Sequence, residues 1–313
     1  MQLSKQKDTL PGTLLVAFIL CVVCSLIVSG AAVGLRERQE NNKKLDQQKN
    51  ILDAAGLAKG EYGKPASKLS KKQIEELYAR VSEQMINLDD GTYNSEVDPS
   101  EFNVVEASQS EKYSVAIADL KNADPDWEDP EYDFGEDRQL KVTKVFFVRS
   151  ANGNDVQQVV LPVYGKGLWG TLYGYMALKS DLTTIQGITF FQHIETPGLG
   201  GEVDNPAWKE QWEGLKLYDE AGQPAAMVYK GPAPNGSYYG VDGLSGATIT
   251  SRGVTNLVRY WAGDSGYKPF LNNLKTQIAE GTVPQPKPKA TDSTEPAAEA
   301  AAFNSVSTEA QNG

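Results

Sequence analysis

The sequence is poor in the residue types that bind transition metals. Its 313 residues include two cysteines, Cys21 and Cys24, and one histidine, His193. Zinc, iron–sulfur and haem sites take most of their ligands from cysteine and histidine. None of these centres is therefore expected in this chain.

The sequence also lacks an excess of basic residues. It has 30 lysines and arginines against 41 acidic residues, with a net charge of −11. Binding to nucleic acid requires a basic face that neutralises phosphates, so a nucleic-acid partner is not expected. The hydrophobic content of 40% is ordinary for a folded protein, and the length allows one or two domains.

One long apolar run is present near the N-terminus. Residues 13–35 contain no charged side chain, and as a helix they would extend about 34 Å against a hydrocarbon core of about 30 Å. The run predicts a membrane-spanning helix after an N-terminal tail of residues 1–12. A cleaved signal peptide is the alternative, but its apolar region is usually shorter. Cys21 and Cys24 lie within the run and are interpreted as small apolar side chains.

The charges around this run leave the orientation of the helix open. A count of positive charges favours a cytoplasmic domain, but acidic residues are interleaved, and long domains are translocated with little regard to flanking charge. The basic residues concerned are Lys5 and Lys7 before the run, and Arg36, Arg38, Lys43, Lys44 and Lys49 after it.

Composition divides the rest of the chain into three parts. We expect a juxtamembrane helix and connector over 36–69, a folded domain over 70–280 and a disordered tail over 281–313, which is rich in Pro, Ala, Ser and Thr. Ser70 and Gln73 form a predicted capping box, followed by apolar residues at helical spacing as far as Leu88. The acidic stretch 124–137 lacks the order of a calcium loop and is interpreted as solvated.

The folded domain is predicted to be α+β. Four segments rich in β-branched and aromatic residues are joined by short turns, which implies a mainly antiparallel sheet. Three later segments have the apolar spacing of helices that pack against such a sheet. The predicted strands are 140–149, 156–164, 172–178 and 185–192, and the predicted helices are 206–213, 252–262 and 269–279.

The most informative stretch is 241–254, VDGLSGATITSRGV, a glycine-rich turn that leads into a helix. The start of a helix carries unpaired N–H groups and the positive end of the macrodipole, which favour a phosphate. Serine and threonine are also preferred as helix caps, so a simple N-cap is an equal alternative on these grounds. The stretch contains four hydroxyl side chains, Ser245, Thr248, Thr250 and Ser251.

The run D-G-L-S-G-A-T, Asp242 to Thr248, resembles the recognition motif of flavin transferases. In proteins with this motif the final threonine receives FMN as a phosphoester, from FAD and with release of AMP. The resemblance implies a covalent FMN on Thr248. It also implies that Asp242, Ser245, Gly246 and Ala247 present the threonine to a flavin transferase.

Two further segments resemble one family. They read QHIETPGLGGEVDNP over 192–206 and YGKGLWGTLYG over 164–174. Both are similar to segments of the C subunit of the sodium-translocating NADH:quinone reductase, and with the threonine motif the likeness runs from about residue 140 to about 274. The related G subunit of the Rnf complex shares E-T-P-G-L-G and is the alternative within this class.

The resemblance implies roles for the residues of these segments. Leu199 and Trp169 would cover the flavin ring in a loop made tight by glycines, and Glu195 and Thr196 would hydrogen-bond to the ring or ribityl chain. Lys230 would balance the phosphate charge, and Thr250 would be a further residue that binds the cofactor. The alternatives are core packing for Trp169 and solvated surface charges for Glu195 and Lys230. His193 is interpreted as shaping the loop.

The function implied is that of an electron carrier in a six-subunit bacterial inner-membrane complex. Such a complex couples the oxidation of NADH by ubiquinone to sodium export, with the FMN domain on the periplasmic side. No G-x-G-x-x-G motif is visible, so NADH would be oxidised on another subunit. The alternatives are FMN held without a bond and a non-enzymatic, membrane-tethered envelope-binding protein.

Overall fold

A computed structural model describes residues 10–123, 132–153 and 155–285. A compact unit ends at Val283. Most of the predicted tail, residues 286–313, lies outside the described residues, as do residues 124–131 of the acidic stretch.

Eight α-helices and nine strands lie within the described residues. The helices are α1 Leu10–Ala54, α2 Leu57–Tyr62, α3 Lys71–Tyr78, α4 Val104–Gln109, α5 Ile117–Ala123, α6 Pro206–Glu210, α7 Thr248–Ala262 and α8 Lys268–Glu280. The strands are β1 Val81–Asn87, β2 Ser114–Ala116, β3 Arg138–Leu140, β4 Val142–Arg149, β5 Val156–Lys166, β6 Thr171–Lys179, β7 Ile185–Gln192, β8 Met227–Val228 and β9 Gly240–Val241.

The centre of the domain is a five-stranded sheet in the order β1-β4-β5-β6-β7, with every neighbouring pair antiparallel. Four of its strands are the four predicted segments. The α+β fold with one apolar N-terminal helix is therefore confirmed. Both faces of the sheet are covered, which explains why β4 and most of β5 are buried at consecutive positions and not only at alternate ones.

The helix predicted from Ser70 to Leu88 is only half correct. The capping box forms, since Ser70 accepts a hydrogen bond from the Gln73 N–H and the Gln73 side chain accepts one from the Ser70 N–H. However, the helix ends at Tyr78, and Val81–Asn87 is a strand instead. The backbone of Val81–Asn87 pairs with β4, a segment much later in the chain. The hydrogen bonds and packing of this long-range pairing outweigh the local preference for a helix that the apolar spacing indicated.

One face of the sheet, here called the anchor face, is covered by α2, α3 and the C-terminal end of α1. Helix α1 has 45 residues; its N-terminal part is apolar and exposed, and it is the only helix of the described chain long and apolar enough to cross a membrane. Its last turns include Ile51 and Leu52, both fully buried. Part of the segment predicted as a connector, 36–69, thus belongs to the core. The strand residues beneath it are Phe146, Val148, Val160, Tyr175 and Ala177.

The opposite face, here called the site face, is covered by α7 and α8. Val254, Leu257, Val258 and Trp261 form the predicted buried side of α7, and all are 0–1% exposed. The Trp261 indole N–H donates to the carbonyl of Tyr164 at 2.8 Å. These contacts fix the position of α7, and therefore of the glycine-rich turn from which the helix starts.

Candidate functional site

The glycine-rich turn leads directly into helix α7. Gly246 has a φ of +70°, Ala247 is the N-cap residue and Thr248 is the first residue of the helix. No side chain caps this end of the helix. The alternative that a serine or threonine hydroxyl caps it is therefore wrong, because the N-cap is an alanine. The first-turn N–H groups and the positive end of the macrodipole remain available for an anion.

The four hydroxyls of this stretch differ in accessibility. Thr248 and Ser245 are exposed. Thr250 is fully buried, and its Oγ1 donates to Glu195 Oε2 at 2.5 Å. Ser251 is 4% exposed and its Oγ accepts from the Leu244 N–H at 3.0 Å. Only two of the four hydroxyls can therefore be reached from outside the folded domain.

Asp242, at the start of the motif, is held by several hydrogen bonds. Its carboxylate accepts from the Ala233 N–H at 2.7 Å and from Gln211 Nε2 at 3.1 Å. Its own N–H donates to Gln211 Oε1 at 2.9 Å, and its carbonyl accepts from the Trp208 indole at 2.8 Å. Asp242 thus ties the motif to α6 and to the loop before β9. Gln211 and Trp208 lie 31 and 34 residues before Asp242, and none of these partners was predicted.

Glu195 is buried, so its interpretation as a solvated surface charge is wrong. The residue is 5% exposed, and its Oε1 accepts from the Trp169 N–H at 2.9 Å while its Oε2 accepts from Thr250. The Glu195 N–H donates to His193 Nδ1 at 3.2 Å, and the other ring nitrogen of His193 lies 2.9 Å from Asp204 Oδ2. His193 therefore contributes to the conformation of the loop.

Trp169 is 62% exposed, so the alternative of core packing is wrong. Its indole N–H donates to Thr196 Oγ1 at 3.0 Å, which joins the β5–β6 turn to the loop after β7. The three segments expose further apolar side chains, of which Leu168, Ile194 and Ile249 were not singled out from the sequence. The exposed apolar side chains of these segments are Leu168, Trp169, Ile194, Leu199 and Ile249.

The segment with Leu199 contacts the threonine motif. A Cβ atom added to Gly246 would lie 2.9 Å from Leu199 Cδ2, so this leucine packs directly over the turn. The backbone of Lys230 lies on the other side, where a Cβ on Gly243 would come 3.0 Å from its carbonyl carbon. The Lys230 side chain is exposed. The structure thus brings the three predicted segments and Lys230 to one end of the domain.

Several glycines of these segments are needed for contacts within the protein. A Cβ on Gly167 would lie 2.5 Å from Glu195 Oε1, and one on Gly200 would collide with Glu195 Oε2 and lie 2.7 Å from Thr250 Oγ1. Gly198 has a φ of +76°, which favours glycine. The close packing of Gly167 and Gly200 thus serves the buried carboxylate.

Comparison with known proteins identifies the same part of the chain. The FMN-binding domain family matches residues 167–263, from the β5–β6 turn to the end of α7. The C subunit of the Na(+)-translocating NADH-quinone reductase of Pseudomonas aeruginosa is 42% identical over 279 residues, which cover 86% of this chain and 97% of that protein. The corresponding protein of Yersinia pestis is 38% identical over 272 residues, covering 87% and 95%.

Two crystal structures are similar in fold. NqrC of Shewanella oneidensis has a TM-score of 0.64 at 32% identity, covering 75% of this chain and 99% of that one. The C subunit of the Na(+)-translocating NADH-quinone reductase of Parabacteroides distasonis has a TM-score of 0.54 at 26% identity, covering 76% and 96%.

Proposed function

The chain belongs to the NqrC family, the C subunits of the Na(+)-translocating NADH-quinone reductase, and on that premise we propose that it carries FMN bonded through its phosphate to Oγ1 of Thr248. Members of this family are FMN-binding redox subunits of a membrane translocase, and this chain is an electron-transfer subunit of that kind. The proposal concerns the bond, the residues around it and the placement of the domain.

The observation that supports Thr248 is the combination of an exposed hydroxyl with an uncapped helix start. A phosphate on the first residue of α7 would lie at the N–H groups that no side chain satisfies. Thr250 and Ser251 are buried and already hydrogen-bonded, so a modifying enzyme cannot reach them in the folded domain. Ser245 is the remaining exposed hydroxyl of the stretch.

The attachment reaction follows from the chemistry of a phosphoester. The Thr248 Oγ1–phosphorus bond forms, the pyrophosphate P–O bond of FAD breaks and AMP leaves with the bridging oxygen, while the threonine proton passes to solvent. A flavin transferase would catalyse this step. Asp242, Ser245, Gly246 and Ala247 would present the threonine to it, on a turn that Asp242 holds to α6.

The residues that would hold FMN come from the three segments. Trp169 and Leu199 offer exposed apolar surface to the flat ring, Thr196 lies at the Trp169 indole, and Lys230 offers a cation for the phosphate. Bound FMN supplies a centre that takes up and releases one or two electrons. The protein's part is to tether this centre and to tune its potential through the dipoles and polarity around it.

We further propose the surroundings in which this protein acts. Its partners would be the other members of a six-subunit complex in the bacterial inner membrane, one of which oxidises NADH while ubiquinone is the final acceptor and sodium is exported. Helix α1 would be the single membrane span, with the FMN domain in the periplasm. Flavin transfer outside the cytoplasm supports this side, against the simple charge count.

The experiment that tests the bond is intact-mass analysis of the full-length protein co-expressed with a flavin transferase. The wild type should gain the mass of FMN minus one water and fluoresce on a denaturing gel under ultraviolet light. Thr248→Val should lose both signals, whereas Thr276→Val, which changes an exposed threonine of α8 outside the motif, should keep them.

Three outcomes would contradict the proposal in different ways. Bonded flavin in Thr248→Val would move the attachment to another hydroxyl. Yellow wild-type protein that loses its colour on acid precipitation would indicate FMN held without a bond. Wild-type protein with only its polypeptide mass and no flavin would favour a membrane-tethered binding protein.

A further inference from the structure

We propose that Glu195 is a positioning residue, which links the β5–β6 turn to helix α7 and so holds Trp169 in a defined place relative to an FMN on Thr248. The inference rests on the proposed bond to Thr248. It differs from the expectation that Glu195 and Thr250 contact the flavin themselves.

The carboxylate of Glu195 is the meeting point of three segments. Its Oε1 accepts a hydrogen bond from the backbone N–H of Trp169 at 2.9 Å, and its Oε2 accepts one from the hydroxyl of Thr250 at 2.5 Å. Thr250 lies two residues after Thr248, in the first turn of α7. Two hydrogen bonds through one carboxylate therefore join the backbone of Trp169 to the helical turn that begins with Thr248.

The side chain of Glu195 is enclosed by neighbouring residues. The residue is 5% exposed and Thr250 is fully buried. Gly167 and Gly200 pack against opposite oxygens of the carboxylate, at positions where any side chain would collide with them. Because it is enclosed in this way, the carboxylate is not open to a ligand.

Trp169 is exposed but is fixed by hydrogen bonds at both its backbone and its indole ring. An exposed tryptophan on a surface turn usually has rotamer freedom. Here the backbone is fixed by Glu195 and the indole N–H by Thr196 Oγ1 at 3.0 Å, although 62% of the residue is exposed. An aromatic ring fixed before its partner arrives avoids the entropy loss of ordering it later. Glu195 and Thr196 thus preorganise one wall of the flavin site.

The experiment compares Glu195→Ala with two controls. Glu195→Gln can keep both links, because the amide oxygen can accept from Trp169 and the amide N–H₂ can donate to the Thr250 oxygen. Glu202→Ala removes a carboxylate from the same loop, whose Oε2 accepts from the Asn205 side chain at 2.8 Å. The Thr250→Val and Thr250→Ser pair repeats the test with smaller changes at the other end of the link.

Two readouts are measured on the full-length protein. In protein made without the flavin transferase, hydrogen exchange of the Trp169 amide should become about tenfold faster in Glu195→Ala, the change expected when one buried hydrogen bond is lost. In FMN-loaded protein, Glu195→Ala and Thr250→Val should still carry the bonded flavin but lose visible circular dichroism. The variants Glu195→Gln, Thr250→Ser and Glu202→Ala should resemble the wild type in both readouts.

The two proposals fail in different ways. Wild-type protein without bonded flavin would overturn the attachment to Thr248, and this inference with it. Loaded wild type together with unchanged exchange and unchanged circular dichroism in Glu195→Ala and Thr250→Val would overturn only the positioning role. If Glu195→Ala does not fold, the two Thr250 variants decide the question.

Discussion

The two faces of the sheet differ in what covers them and in what they carry. The anchor face is closed by α1, α2 and α3, and its buried residues are mainly aliphatic, among them Ile51, Leu52 and Ile74. The site face is closed by α7 and α8 over a cluster of aromatic rings and ends in exposed loops. The same strands supply both faces through alternate residues, so the sheet separates the end of the apolar N-terminal helix from the segments proposed to hold FMN.

The site face is supported by a cluster of packed aromatic rings. Phe134 stacks on Tyr260 with ring centroids 3.7 Å apart, and Tyr164 lies 5.1 Å from Trp261. Burial raises the pKa of the Tyr164 and Tyr260 hydroxyls well above their usual value, so both stay neutral. Flat rings with few rotatable bonds place α7 accurately, which the proposed attachment of FMN to Thr248 would require.

The largest effect is expected from Trp261→Ala on the site face. The side chain is 1% exposed, contacts several rings and donates to Tyr164. We expect a loss of about 3–5 kcal/mol in the free energy of unfolding, from the cavity and the lost hydrogen bond, measured by urea denaturation. A loss below about 1 kcal/mol would show that α7 is held by other contacts.

A smaller loss with a different consequence is expected from Ile51→Ala on the anchor face. Ile51 is fully buried, so about 3 kcal/mol of unfolding free energy should be lost. Because the sheet separates the faces, the visible circular dichroism of bonded FMN should stay as in the wild type. A change in that spectrum would contradict the separation.

A pH-dependent effect is expected at the β6–β7 turn, outside both faces. The pKa of Asp181 lies well below its usual value. Burial alone would raise this pKa. Hydrogen bonds from the Thr184 hydroxyl and from the N–H groups of Thr184 and Thr183, together with the charge of Lys216, have the larger, opposite effect. A depressed carboxyl pKa stabilises the fold above the unfolded-state pKa of about 4 and loses this contribution as the pH falls toward the folded value.

Asp181→Asn tests this sign. The side chain is 47% exposed, so solvent weakens the effect to about 1 kcal/mol at pH 7. The stability difference from the wild type should shrink as the pH falls below about 4. Urea denaturation at several pH values measures it, and a constant difference would mean that the charge of Asp181 is unimportant.

The smallest effect is expected from Ser70→Ala, at the edge of the anchor face. It removes the exposed capping box of α3, which should cost about 0.5–1 kcal/mol of unfolding free energy and leave the FMN signals unchanged. Gln73→Ala, which removes the other half of the box, serves as the matched comparison in the same denaturation assay. A loss as large as that of Ile51→Ala would mean that α3 controls the whole anchor face.

Local pattern was sufficient for the central strands and for the turn before α7, whereas the segments 164–174 and 192–206 were found through their resemblance to a known family. Enrichment in β-branched and aromatic residues identified four central strands, and apolar periodicity identified the buried side of α7. Apolar periodicity gave a wrong prediction at Val81–Asn87, whose apolar residues have helical spacing but whose backbone pairs with β4. The burial of Glu195 was missed because its partners, Trp169 and Thr250, are 26 and 55 residues away.

The sequence by itself determined the apolar N-terminal helix, the α+β class and the threonine motif at the start of a helix, because each depends on residues close together in the chain. Only the tertiary structure decided which hydroxyls are accessible and what Gly167 and Gly200 enclose. Exposure, and the pairing of a buried carboxylate with its donors, depend on segments that meet only after the sheet has formed. For that reason Thr248 and Thr250, two residues apart in one helical turn, have opposite environments.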